Sequence, residues 1–254
     1  MQACVNSPFE TWLPLIDFTA TAFMFDLGGN VVIKSPFLWT NPTPFHEKVM
    51  EDNIASIEKE KEILSVLRQE PHPNIVHTIV LSQQGIFLER LVMSLSQRLK
   101  GPALPISPQL KVRWIQQIVN NILLDERANI KLIDFDCTVK YGDALIAATT
   151  PFAKLDGNLN TPLAGAESET FAIGSCIYNI HFDYSPLPEL EDRELDEKWS
   201  KHEYPSTGDD ELGVIIRKCW NGEFESLAAL DAVVKSLRSD GNRRAWSRCN
   251  ESAK

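Results

Sequence analysis

A single acidic residue on the apolar face of a long helix constrains this chain more than any other feature. Segment 47–69 has the spacing of an amphipathic helix, with apolar residues on one face at Ile54, Ile57, Leu64 and Leu67. Glu60 falls on the same face, where its carboxylate would lie against the core. A buried carboxylate is unfavourable without a partner, so we expect a cation from another element to meet Glu60.

Strand patterns surround this helix in the sequence. Segment 23–34 has two β-prone runs that flank Gly28-Gly29-Asn30, which predicts a tight hairpin whose second strand ends at Lys34. After the helix, runs at 75–81 and 86–89 are separated by a short turn and predict two further strands. The first third of the chain therefore predicts a small sheet with one long helix.

The remainder of the chain is predicted to be mainly helical. Helices are expected near Leu91–Leu99 and at 109–120, 168–182, 209–220 and 226–238. A hairpin at 122–133, followed directly by Asp134-Phe135-Asp136, interrupts them. The 254 residues suit one domain with two lobes, and the predicted class is α+β.

Charge and cysteine usage narrow the function classes. A net charge of −10 disfavours nucleic acid and anionic membranes as partners. The five cysteines are scattered without a Cys-x-x-Cys pair, which argues against a disulfide framework and a zinc site. No apolar run approaches the ~18 residues of a membrane helix. We expect a cytoplasmic or nuclear protein.

Five short motifs follow one another along the chain: Val32-Ile33-Lys34, Glu60-Lys-Glu-Ile-Leu64, His72-Pro-Asn-Ile-Val76, Asn121-Ile-Leu-Leu-Asp125 and Ile133-Asp-Phe-Asp136. Their order resembles that of the corresponding motifs in protein kinases. Over residues 15–240 the chain resembles the protein kinase superfamily, Ser/Thr type, and it is most similar to kinase-like proteins of filamentous fungi. The resemblance implies a two-lobed fold, with an N-lobe of sheet and helix at 15–90 and a mainly helical C-lobe at 91–240. Residues 241–254 would form a polar tail.

The resemblance also implies ATP and Mg²⁺ as cofactors. Lys34 would contact the nucleotide α- and β-phosphates, and Glu60 would orient Lys34. Asn121 and Asp134 would hold the metal through their oxygen atoms.

The adenine end of the nucleotide would lie against the segment that joins the lobes. By resemblance, Leu88 is the gatekeeper residue, and Glu89 and Leu91 belong to the hinge whose backbone meets the adenine edge.

Three departures from the kinase pattern affect catalysis. The stretch 17–22 has no glycine where a glycine-rich phosphate loop is expected. Gln116 stands five residues before Asn121, where the family has its general-base Asp, so no catalytic residue is assigned. About fifteen to twenty residues of the family pattern are missing there, which truncates the C-lobe at the catalytic loop. Asp136 replaces a glycine.

Three readings remain open from sequence. The first is a pseudokinase, a kinase-like module that binds ATP weakly and a protein partner but is catalytically impaired. The second is an active Ser/Thr kinase that transfers the ATP γ-phosphate to a protein substrate, with this chain as a truncated or mis-spliced form. The third is a binding protein unrelated to kinases.

Overall fold

A computed structural model describes residues 13–100, 105–117 and 122–237. Its strands are β1 (Leu15–Phe18), β2 (Ala22–Gly28), β3 (Val31–Pro36), β4 (Thr78–Ser82), β5 (Gly85–Glu89), β6 (Met93–Ser94), β7 (Ile122–Leu124) and β8 (Ile130–Leu132). Its helices are α1 (Pro44–Leu67), α2 (Leu95–Lys100), α3 (Pro108–Gln117), α4 (Ala166–Phe182), α5 (Asp192–Ser200), α6 (Glu211–Trp220) and α7 (Leu227–Ser236). The protein is a mixed α+β fold. Among the helices of these residues, none is long and apolar enough to cross a membrane.

The first of two compact units contains the described residues up to Met93 together with Leu123–Cys137. Its main sheet is antiparallel and has the order β1-β2-β3-β5-β4. The predicted hairpin is confirmed as β2 and β3, with Gly28, Gly29 and Asn30 at positive φ in the connection. Helix α1 packs on this sheet, and side chains of both elements join in one apolar cluster that includes Val32, Ile57, Leu64 and Ile86.

A second sheet has the strand order β6-β7-β8. Ile75, which precedes β4 in the chain, forms a single parallel bridge with Leu132 at the end of β8. The predicted strand at 75–81 therefore starts later than expected, at Thr78.

The second unit consists of Ser94–Ile122 and the described residues from Thr138 onward. Helix α4 is its centre: twelve of its seventeen residues are buried, and it packs against α3, α6 and α7. Helix α5 was not expected from sequence. Most of its side chains are charged, and only Leu195 and Trp199 are buried. The acidic stretch 189–197 therefore contains part of a short amphipathic helix that has no clear apolar stripe in the sequence.

The buried face of α1 differs by one position from the predicted stripe. Asn53, Ile57, Glu60 and Leu64 are buried, whereas Ile54 is 42% exposed. The Asn53 amide donates a hydrogen bond from Nδ2 to the Phe37 carbonyl oxygen at 2.9 Å, which satisfies a polar group in that place. The helix begins at a Thr43 cap whose hydroxyl accepts from the His46 N–H.

Candidate functional site

Lys34 lies in the middle of the main sheet, where strand alternation turns its side chain toward α1. Lys34 pairs across the sheet with Met24 of β2 and with Ile86 of β5, and only 4% of its surface is exposed. Neighbouring Val32 and Ile86 belong to the apolar cluster beneath α1. An ammonium group in this environment needs carboxylate partners, because apolar neighbours cannot replace its hydration.

Two carboxylates surround the Lys34 ammonium. Lys34 Nζ lies 2.7 Å from Glu60 Oε2 and 2.5 Å from Asp134 Oδ1. Glu60 is 1% exposed, whereas the Asp134 side chain is 31% exposed. The cation expected opposite Glu60 is thus Lys34, and the prediction of a partner for this acid is confirmed. The cluster carries one more negative than positive charge.

The pKa values of both buried groups are raised, but for different reasons. Burial alone would lower the pKa of Lys34, but the Glu60 and Asp134 carboxylates outweigh burial and raise it above its usual value. Burial raises the pKa of Glu60, although the Lys34 charge opposes that effect. Lys34 therefore holds its proton firmly, and the cluster favours binding of additional positive charge.

The segment Asp134–Asp136 is held against α1. The Phe135 N–H donates to Glu60 Oε1 at 3.2 Å, and the Phe135 ring is buried in the apolar cluster of the first unit. Asp134 has a φ of 66°, a left-handed conformation that Asp tolerates better than most residues. Asp136 does not have a positive φ, so its side chain adds no backbone strain there.

The glycine-free turn between β1 and β2 satisfies its own amides. Thr19 Oγ1 accepts hydrogen bonds from the N–H groups of Thr21 and Ala22, at 3.3 and 3.0 Å. In a glycine-rich phosphate loop, such amides would point at the ligand. Here the Thr19 hydroxyl accepts these hydrogen bonds in place of a ligand, so this turn offers a phosphate few free donors.

The three residues predicted for the adenine end lie along β5 and just after it. Leu88 is buried in the cluster under α1, and Leu91 packs against the same cluster. The Glu89 carboxylate accepts from the His77 N–H at 2.8 Å and lies 2.9 Å from Lys131 Nζ. Its backbone N–H donates to the His77 carbonyl oxygen, so this backbone donor is already used within the first unit.

Two positions discussed in the sequence analysis, Asn121 and Gln116, lie at or near the gap in the described residues. Asn121 lies outside the described residues. Gln116 is part of α3, and its Nε2 donates to the Val234 carbonyl oxygen at 3.4 Å. An amide engaged in this way links two helices and cannot accept a proton, which leaves position 116 without a general base.

Gly85 fixes the strand that carries Lys34. A side chain added at Gly85 would place its Cβ 2.2 Å from the Lys34 carbonyl oxygen, and Gly85 has a φ of 154°. Only glycine allows β5 to approach β3 this closely.

Asp136 is the functional candidate whose contacts the sequence did not predict. Its carboxylate accepts from Ser56 Oγ of α1 at 3.0 Å and from Thr21 Oγ1 at 3.5 Å. Ser56 lies one helical turn before Glu60, and this spacing is the signal in the sequence that would have placed both on one face. The sequence around Asp136 has no local pattern that would predict its contact with Ser56.

Comparison with models of known protein families and with curated proteins finds no match for this chain. In the described part of the chain, no group of three or more His, Cys, Asp and Glu side chains has the arrangement of a metal site.

Proposed function

We propose that this chain is a protein-kinase-like module that binds ATP with Mg²⁺ and acts through a protein partner, without efficient phosphate transfer. The observation that carries the proposal is the buried ammonium of Lys34, held between Glu60 and Asp134. An oriented lysine next to a partly exposed carboxylate suits the phosphates of a nucleotide and its metal.

The residues divide this work according to their environment. Glu60 is almost fully buried, so it orients Lys34 and stays away from solvent. Asp134 is the more exposed acid and would hold the metal by an oxygen atom, with the phosphates completing the ligand set. Bound Mg²⁺ would neutralise phosphate charge and offset the excess negative charge of the cluster.

The remaining chemistry supports binding rather than catalysis. Gln116 cannot act as a base, and the amides of the β1–β2 turn are bonded to Thr19. General-base catalysis typically contributes about 10²–10⁴-fold to a rate, and a preorganised phosphate loop contributes further electrostatic stabilisation. A two-lobed kinase-like arrangement with a shortened C-lobe belongs to the same proposal.

Thermal unfolding with and without Mg²⁺-ATP tests nucleotide binding. Ligand at a hundred times Kd adds about 2.7 kcal/mol to stability, which is several degrees of melting temperature. We expect this shift in the wild type, its loss in Asp134→Asn with Mg²⁺, and its retention in Lys48→Met, whose lysine is exposed on α1. A wild-type melting curve that ATP leaves unchanged, with or without Mg²⁺, would contradict the proposal.

An active Ser/Thr kinase is the second candidate. It is favoured by the completeness of the elements on both sides of residues 118–121, with α3 before them and the paired strands β7 and β8 after them. Gradual decay of a catalytic loop would also alter its surroundings. Sequencing of full-length transcripts across this junction decides: an in-frame insert with His-x-Asp five residues before Asn121 supports the kinase, and its absence from every transcript rejects it.

A further inference from the structure

Helix α1 contacts the segment Asp134–Asp136 at two points one turn apart. Glu60 Oε1 accepts the Phe135 N–H, and Ser56 Oγ donates to Asp136 Oδ2. Residues four apart on a helix lie on the same face, so one face of α1 holds Phe135 and Asp136. Asp134, at the other end of the segment, is held by Lys34 of β3.

The Asp136 carboxylate joins three parts of the first unit. It accepts from Ser56 Oγ on α1 and from Thr21 Oγ1 in the β1–β2 turn, so it joins both elements to the segment Asp134–Asp136.

We propose that Asp136 is a positioning residue that fixes the segment Asp134–Asp136 to α1 through Ser56 and to the β1–β2 turn through Thr21. The Lys34–Glu60–Asp134 cluster is thereby assembled before any nucleotide binds. A glycine at this position has no side chain to make these bonds, and the segment is then free to leave α1. What the assembled cluster binds rests on the proposed function, but the Asp136 bonds can be tested without nucleotide.

Amide hydrogen exchange at Phe135 measures whether the segment leaves α1. We expect about tenfold faster exchange in Ser56→Ala, the effect of losing one hydrogen bond to a charged group, and at least as large an increase in Asp136→Gly, which also loses the bond from Thr21. The double variant should exchange no faster than Asp136→Gly, because both changes remove the same bond. Ser56→Thr keeps the hydroxyl and should restore the wild-type rate. Ser65→Ala is the matched control on α1, since Ser65 bonds only its local Glu62 carbonyl oxygen in the hydrogen bonds described.

Alkylation of Cys137 separates the charge of Asp136 from its structural effect. Burial, then the hydrogen bond and charge of Asp136, raise the pKa of the Cys137 thiol. In Asp136→Asn we expect the pH profile of Cys137 alkylation, followed by peptide mass spectrometry, to move to lower pH. In Ser56→Ala the profile should stay in place, because the Asp136 charge remains. Buried Cys176 provides the internal reference.

Wild-type exchange at Phe135 in both Asp136→Gly and Ser56→Ala would overturn the positioning role, and so would fully additive effects in the double variant. An unchanged Cys137 profile in Asp136→Asn would also count against it. These results can be told apart from failure of the proposed function. If the protein shows the expected exchange pattern but no ATP-dependent melting shift, the positioning role of Asp136 stands and nucleotide binding is rejected.

Discussion

Two buried lysines, one in each unit, have pKa values that are shifted in opposite directions. Lys34 in the main sheet and Lys111 in α3 are both 4% exposed. Lys111 Nζ lies 2.7 Å from Asp183 Oδ1 and donates to the His181 carbonyl oxygen at 3.2 Å, at the C-terminal end of α4. Burial lowers the pKa of Lys111 despite the Asp183 charge, whereas two carboxylates raise the pKa of Lys34.

The difference follows from the number and the exposure of the carboxylate partners. Asp183 is 48% exposed, so its charge is shared with solvent and does not compensate the burial of Lys111. Helix C-termini favour nearby cations, and this placement explains Lys111 without any ligand. Lys34 has more negative charge around it than it needs, and an excess of this kind suits a site that accepts a metal ion.

Lys34→Met should have the largest effect on stability. It leaves the buried Glu60 carboxylate without its cation, and breaking a buried ion pair typically costs about 3–5 kcal/mol. Urea unfolding measures the change. Adding Glu60→Met to Lys34→Met should recover much of the loss, because the buried charge is removed as well. If the single variant is as stable as the wild type, the ion pair does not exist as described.

Lys111→Met should destabilise the protein less, by about 1–2 kcal/mol, because its carboxylate partner is half exposed and the main loss is one carbonyl hydrogen bond. The same urea titration measures it, with Lys48→Met as the exposed control, which should leave the unfolding midpoint in place. Equal losses for Lys34→Met and Lys111→Met would remove the distinction between the two sites.

The smallest effect is a difference in titration. By ¹³C NMR of the lysine Cε atoms, we expect Lys111 to lose its proton below pH 10.5 and Lys34 to lose it above pH 10.5. Because the pKa of Lys111 is lower in the folded protein than in the unfolded chain, the unfolded chain binds more protons just below pH 10.5. The free energy of unfolding therefore rises with pH toward that value. For Lys34 the folded protein binds more protons, so its stabilising contribution is lost as pH rises through its folded pKa. Coincident titrations would contradict both assignments.

Local patterns predicted the elements of the site better than its contacts. The gap in the α1 stripe identified Glu60 and its need for a cation, because this depends on periodicity within a single element. Lys34 was named as that cation only through the resemblance, and its strand continues beyond the predicted end to Pro36. The same periodicity misplaced the face by one position, since it could not show that Asn53 would bond the Phe37 carbonyl oxygen and take the place expected for Ile54.

Contacts between distant segments left no trace in the local sequence. Ser56 and Asp136 are eighty positions apart, and neither residue type signals the other. Helix α5 was missed for a different reason: charged residues fill most of its positions, and two buried side chains are too few to give a clear period. Asn121, predicted as a metal ligand, lies outside the described residues and stays a prediction.

The close approach at Gly85 has a consequence for how this chain can vary. Gly85 carries no reactive group, yet any side chain at this position collides with the backbone of Lys34. In a library of all single substitutions, position 85 would be as intolerant as Lys34 itself, and every loss there would come through displacement of β3. Position 85 can therefore vary little, because a side chain there would displace the neighbouring strand that carries the Lys34 ammonium.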